Sequence, residues 1–522
     1  MPRHTRPWSH QTAGMRATWQ PIDGLPPLPR SSHSLDVVAG SAYMFGGETS
    51  PRELADNDML VVRLPYSGAG ADYYKVKAVA ATDQERRGPE GHRDLELQHE
   101  ETTAQRDLQD VPLEESPPSS KGKEPATVEH QRQPLSESGA GPVPAPRIGH
   151  ATAVIGSRIF LFGGRAGRGL DVTPLDEAGR VWVFDTRSCT WTYLDPVAAV
   201  RGSAIVPHPV PRSYHCATAT EHPRDLPSAV RKPQTWRQWA VGDSARTGIP
   251  QDPIIGNVAE EAVDHESDGY GTFLVHAGCL GDGEHAGDLW AFDVALRTWT
   301  ELPYAPGTAR GGTSMCISES RLYRFGGFDG TGEQLGVQLD FLPLQLGTFD
   351  DGAAKAERSI ASHIPGWQAM IPYNPDASVE QPWPSPRCVA SLHALGIGGG
   401  GHGREYLVLA MGDGSDASLA FLDDVWAYQV PPPLGLSAAS LTDAVLQAVS
   451  RKPGESRWTR VATRPFDADV YDDDDARGRP APRGWLASAP MGDVEESGIV
   501  MWGGLGQDDQ CMGDGWILRL GD

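Results

Sequence analysis

The chain has 522 residues, with 45 Lys and Arg against 69 Asp and Glu, a net charge of −24 and 39% hydrophobic residues. So large an acidic surplus excludes nonspecific nucleic-acid binding, which needs Lys and Arg to displace phosphate counterions, and it disfavours an anionic membrane surface. The length exceeds that of an average domain, but a ring built from repeats can use all of it.

The amino end, Met1 to Trp8, lacks the apolar run of a signal peptide, and no stretch of about 18 apolar residues predicts a membrane span. The six cysteines, at 189, 216, 279, 316, 388 and 511, stand singly, with neither zinc spacing nor a disulfide framework. Free thiols suit a reducing compartment, so the cytoplasm is expected, with nuclear entry left open.

In chain order, the first predicted element is a short strand, Ala17-Thr18-Trp19-Gln20. A unit then recurs six times. Arg, usually after Pro, opens one strand. A second apolar strand ends in a glycine pair or a near relative, an alternating strand follows, and a lone Trp closes most copies. The first copy has Pro29-Arg30-Ser31-Ser32-His33 and Tyr43-Met44-Phe45-Gly46-Gly47. The second has Pro146-Arg147-Ile148-Gly149-His150, Phe160-Leu161-Phe162-Gly163-Gly164, Val181 to Asp185 and Trp191. The third has Pro211-Arg212-Ser213-Tyr214-His215, Phe273 to Gly278, Asp288 to Asp293 and Trp299. The fourth has Arg310, Leu322 to Gly327, Val337 to Leu342 and Trp367. The fifth has Pro386-Arg387, Tyr406 to Gly412, Asp424 to Tyr428 and Trp458. The sixth has Pro482-Arg483, Ile499 to Gly504 and Gly515 to Leu518. Units this short bury both faces only by stacking on neighbours.

The pattern resembles the kelch repeat, which implies an all-β, six-bladed β-propeller of four-stranded blades. The blades are expected near 29–80, 146–193, 211–302, 309–370, 386–461 and 482–520. The sixth copy runs out of chain before its Trp-bearing strand, and 17–21 can supply it. Eleven positions separate Trp19 from Arg30, as eleven separate Trp299 from Arg310. The amino-terminal strand is therefore expected to close the ring. The glycines allow a sharp exit from the second strand, and the Trp rings pack between blades.

Insertions interrupt the blades. Residues 82–143, rich in Glu, Gln, Pro and Ser, predict disorder. Others run over 221–270, 343–365 and 431–457, and Leu441 to Val449 has the apolar spacing of one short helix. An acidic stretch runs from Asp467 to Asp475. Because antiparallel strands alternate in direction, 82–143 and this stretch share a face with the Pro-Arg segments and the loops after the glycines. The other three insertions fall on the opposite face.

Three constellations could carry chemistry. Arg30, Arg147, Arg212, Arg310, Arg387 and Arg483 each begin an innermost strand. Six guanidiniums approaching the channel mouth would suit a carboxylate or phosphate. The competing reading pairs each Arg with an acid of its own or the adjacent blade, such as Asp293 or Asp424. His33, His150 and His215 recur three residues after their Arg, but Thr313, Ala390 and Leu486 take that place elsewhere, which suits packing better than metal ligation. Glu48, Asp282, Glu284, His285 and Asp329 follow the glycines, where Asp and Gly most often make turns. No nucleophile elbow and no His-Glu-x-x-His occurs.

The first blade also resembles the plant specifier proteins through Trp19, Pro29-Arg30-Ser31-Ser32-His33, Phe45-Gly46-Gly47-Glu48 and Asp56-Asn57-Asp58. That resemblance implies lyase-like chemistry with Fe(II) held by Glu-x3-Asp-x3-His. The nearest string here, Glu260-x3-Asp264-x3-Asp268, lacks the His. The reading adopted is a non-catalytic scaffold or adaptor with no cofactor. It is a monomer binding another protein, such as an acidic peptide segment, over the Pro-Arg face. The alternative is an iron-dependent, specifier-like protein acting on a small molecule in the channel.

Overall fold

A computed structural model describes residues 15–66, 68–82, 142–166, 173–198, 205–221, 271–281, 283–331, 335–336, 338–344, 346–348, 358–360, 366–371, 382–397, 404–414, 421–431, 457–466, 478–492 and 498–521. These form an all-β, six-bladed propeller, with no helix among the described residues. The expected helix at Leu441 to Val449, the acidic stretch Asp467 to Asp475 and nearly all of 82–143, 221–270 and 431–457 lie outside the described residues. Within 343–365, Leu346–Thr348 pairs with Arg358–Ile360 as a two-stranded sheet.

Blade two shows the plan. Ala151–Ile155, Arg158–Phe162, Val181–Asp185 and Thr190–Leu194 pair antiparallel in chain order. The third strand, flanked by neighbours in its own sheet and in the adjacent blades, is apolar at every position but its last. Blades one, three, four and five repeat the order. Their innermost strands are Ser34–Val38, Cys216–Thr220, Ser314–Ser318 and Ser391–Ile397.

Blade six closes the ring as the sequence requires. Ala487–Pro490, Ile499–Trp502 and Gly515–Gly521 come from the carboxyl end, and Arg16–Pro21 is added antiparallel, with Trp19 opposite Leu518. Trp19 and Trp516 share one core cluster.

A fifth strand was not anticipated. Ala462–Pro465, leaving blade five, pairs parallel with Arg16–Trp19 along the outer edge of blade six. The same device recurs between blades one and two, where Trp191 N–H donates to Val79 and Ala81 N–H donates to Trp191. An outgoing linker thus covers an edge that would otherwise offer unpaired N–H and C=O groups.

The core lies between blades. Trp191 packs edge-on to Phe45 of the preceding blade at 5.1 Å, Trp299 to Phe162 at 5.3 Å, and Trp458 to Phe325 at 5.7 Å. Each such Trp removes about 150–250 Å² from water, an upper bound of roughly 4–6 kcal/mol.

Candidate functional site

The six Arg side chains are all buried, which corrects the expectation of free guanidiniums at the channel mouth. Each Nη1 donates to a backbone carbonyl in its own blade at the end of the second strand. The acceptors are Gly46, Gly163, Ala277, Gly326, Met411 and Gly503, at 2.6–3.2 Å. Four also grip a carboxylate: Arg147 with Glu177, Arg212 with Asp288, Arg387 with Asp424 and Arg483 with Asp514. Each of those acids accepts from an indole N–H, of Trp182, Trp290, Trp426 and Trp516 in turn.

The competing reading therefore holds for Asp424. Asp293 instead accepts from the Leu296 amide in a turn. Burial works against ionisation of Asp288, Asp424 and Asp514, but the facing guanidinium and indole more than offset it and hold each below the usual carboxylate range. Burial lowers Arg30, with Asp56 opposing, and lowers Arg310 to about 10. In blade four the acid Asp340 goes to Arg324, whose Nη1 lies 3.2 Å from Nε2 of buried His276.

The Arg backbone has a second task. Its carbonyl accepts the N–H of the second glycine of the preceding blade, at all six junctions: Gly47 to Arg147, Gly164 to Arg212, Gly278 to Arg310, Gly327 to Arg387, Gly412 to Arg483 and Gly504 to Arg30, at 2.8–2.9 Å. The first glycine sits at positive φ, where a Cβ on Gly46 would strike that carbonyl and lie 2.8 Å from His150. Ala277 and Met411, which replace it in two blades, keep φ at 64° and 61°.

The histidines pack, as the sequence reading prefers. His150 stands edge-on to Phe45 at 5.5 Å and His215 to Phe162 at 5.6 Å. Burial, reinforced by Arg30 and Arg212, lowers His33 and His215 to about 3, and burial with Arg147 beside it also lowers His150, which favours the neutral rings. Guanidiniums beside them and phenyl rings against them do not fit a cation. Among the described residues no group of three or more His, Cys, Asp and Glu could hold a metal. Asp282, Glu260, Asp264 and Asp268 lie outside the described residues.

The segments after Arg and after the glycines meet, as the same-face argument requires: Ser31 bridges Glu48, Ile148 Arg165, Ser213 Cys279, Gly311 Phe328 and Gly484 Leu505. Here the structure brings together residues that sequence reasoning missed. The residue two after each Arg lies at the inner rim. It is Ser32, Gly149, Tyr214, Gly312, Val389 or Trp485, and all six have φ between 46° and 62°. Five backbone N–H to O=C links join them around the rim: Ser32 to Trp485, Gly149 to Ser32, Tyr214 to Gly149, Gly312 to Tyr214 and Val389 to Gly312.

Glycine meets that geometry without strain in blades two and four. Tyr, Val and Trp there cost on the order of 1–3 kcal/mol each. Blades three and six face each other across the ring, and Tyr214 meets Trp485 edge-on at 5.0 Å over the channel axis. Arg165 lies over the Tyr214 ring at 5.1 Å and donates to its hydroxyl at 3.2 Å. Behind the rim the channel holds a cavity of about 210 Å³, lined by residues such as His33, Ser34, Thr152, Cys216, Ser314 and Ser488, and among the described residues by no Asp, Glu, Lys or Arg.

Residues 146–197, the second blade, match the family described as Kelch motif. The fold is a kelch-type six-bladed β-propeller. No curated protein matches the chain. Among solved structures it is similar to "Structure of YjhT", at 10% identity and TM-score 0.42, over 95% of this chain and 99% of that one. No helix in the described part of the propeller is long and apolar enough to cross a membrane.

Proposed function

We propose that this propeller is a non-catalytic protein-interaction scaffold that engages its partner over the Pro-Arg face. The observation that carries the reading is the rim itself. Half-exposed Tyr214, Val389 and Trp485 occupy positions where glycine meets the backbone geometry without strain, and they converge on the channel mouth. Loops on a rigid ring are where binding residues concentrate. Since the six Arg guanidiniums are buried against carbonyls of their own blades, and four of them against acids there as well, an acidic partner segment would find its cation in Arg165 instead.

The test is affinity capture on the full chain, repeated with Trp485→Gly and with Leu296→Glu on the opposite face. A partner retained by the wild type and Leu296→Glu but lost by Trp485→Gly supports the face. Equal retention by all three, or no retained protein, refutes the reading. The iron-dependent, specifier-like alternative draws on the polar cavity alone, and iron absent from purified chain by elemental analysis would remove it.

A further inference from the structure

We infer that the rim carries a peptide-binding subsite for an aromatic side chain next to a carboxylate, built from Trp485, Tyr214 and Arg165. The inference rests on the scaffold reading and names the chemistry its partner must present. The repeat itself supplies the comparison. At one equivalent backbone position, blades two and four use Gly149 and Gly312, both buried. Blades three and six place large aromatics at φ of 52° and 59° and leave them half-exposed. Strain retained where glycine would relieve it, at two opposite points whose rings touch, marks a site that something other than folding has shaped. The two rings meet edge-on at the channel mouth, and Val389 and Phe328 flank Gly312 on the same rim, where a Cβ on Gly312 would lie 3.0 and 2.8 Å from them.

Charge supplies the second half. In a chain of net charge −24, Arg165 makes no ion pair among the described residues. Its guanidinium makes one hydrogen bond among the described residues, to Tyr214, out of five N–H donors. A half-buried guanidinium laid on the Tyr214 ring takes a carboxylate bidentately while the neighbouring Trp485 indole takes an apolar ring. An aromatic residue beside Asp or Glu in an extended segment presents both within the reach of one rim. Trp, Tyr and Arg are also the residue types that dominate binding energy at interfaces.

The probe is a terminally blocked Gly-Asp-Phe-Gly peptide, titrated onto the full chain by calorimetry. Its Asn-Phe and Asp-Ala counterparts are the controls. Both controls should bind at least about tenfold more weakly. Arg165→Gln should bring Asp-Phe down to the level of Asn-Phe and leave Asn-Phe unchanged. Trp485→Gly and Tyr214→Gly should abolish binding without lowering the melting temperature, because glycine relieves positive φ; a purely structural role would lower it. Failure of Asp-Phe to bind, equal binding by all three peptides, or indifference to Arg165→Gln overturns the site. A captured partner that is lost with Trp485→Gly but ignores Arg165→Gln removes the site and leaves the scaffold reading standing. Peptide binding with no captured partner does the reverse.

Discussion

The N–H of Gly504 donates to the carbonyl of Arg30 at 2.8 Å, joining the last blade to the first by the bond that joins every other pair. Residues 17 and 520 close the ring from the other side, where Ala17 lies opposite Leu520. Closure is therefore made twice, once near the axis and once at the outer edge.

The outer closure depends on Trp19, which is buried with Met411, Val425 and Trp516. Trp19→Ala should cost roughly 3–5 kcal/mol by cavity formation, measured by urea unfolding. A loss below 1 kcal/mol would show that the amino-terminal strand is dispensable to the ring.

Arg212 is fully buried against Asp288 and the Ala277 carbonyl. Arg212→Ala should cost roughly 3–5 kcal/mol, because it strands an acid and a carbonyl within blade three. Arg212→Lys should recover only part of this, since an ammonium cannot fork across both carboxylate oxygens. Equal stability of Arg212→Lys and the wild type would contradict the joint.

Gly503 has φ of 62°, and a Cβ there would collide with the Arg30 carbonyl. Gly503→Ala should lose roughly 2–5 kcal/mol from overpacking and left-handed backbone together. Gly24 has φ of 85° but open space around it. Gly24→Ala should lose only the backbone part, so calorimetric melting of the two variants should separate them.

His33 and His215 sit near a pKa of 3 in the fold, against about 6.5 when free. Between those limits the unfolded chain binds more protons, so stability falls as pH drops from 6.5 towards 3. Each should contribute a loss of about 1.4 kcal/mol per pH unit over that window. His215→Phe should flatten the slope of urea midpoint against pH between 6 and 4, and an unchanged slope would refute the assignment.

Burial raises Asp36 to about 7, with a Thr152 hydrogen bond opposing. A raised folded value stabilises at low pH, and that contribution is lost as pH climbs through 7. Asp36→Asn should therefore gain more stability at pH 8 than at pH 5, on the order of a few kcal/mol. Equal effects at the two pH values would show that the carboxyl is already ionised at 5.

Most of the fold was legible because each of its signals is local and repeated. The glycine pair, the alternating third strand and the lone Trp each fall within a few residues, and the missing sixth Trp points to Trp19. The Arg series was legible as a series but not as a joint. Its partners lie 30, 76, 37 and 31 residues away, across loops of differing length. A signal was nonetheless present. Asp288, Asp424 and Asp514 each precede a Trp by two positions, which is the spacing that lets one carboxylate take an indole and a guanidinium. The rim residues were hidden for a different reason. Tyr214 and Trp485 look like ordinary strand-starting aromatics, and only Gly149 and Gly312 at the same step betray the left-handed backbone. That their rings touch across the axis depends on the closed ring, which no spacing within one copy encodes.

The strand Arg16–Pro21 is gripped on both sides, by the carboxyl-terminal strand and by the parallel strap Ala462–Pro465. Traction on the amino end therefore loads two rows of backbone bonds in shear, one on each flank, rather than unzipping them singly. The molecule should yield abruptly at high force, with the fifth and sixth sheets releasing together. This strand is thus the fastener that a mechanical or proteolytic assault must defeat first.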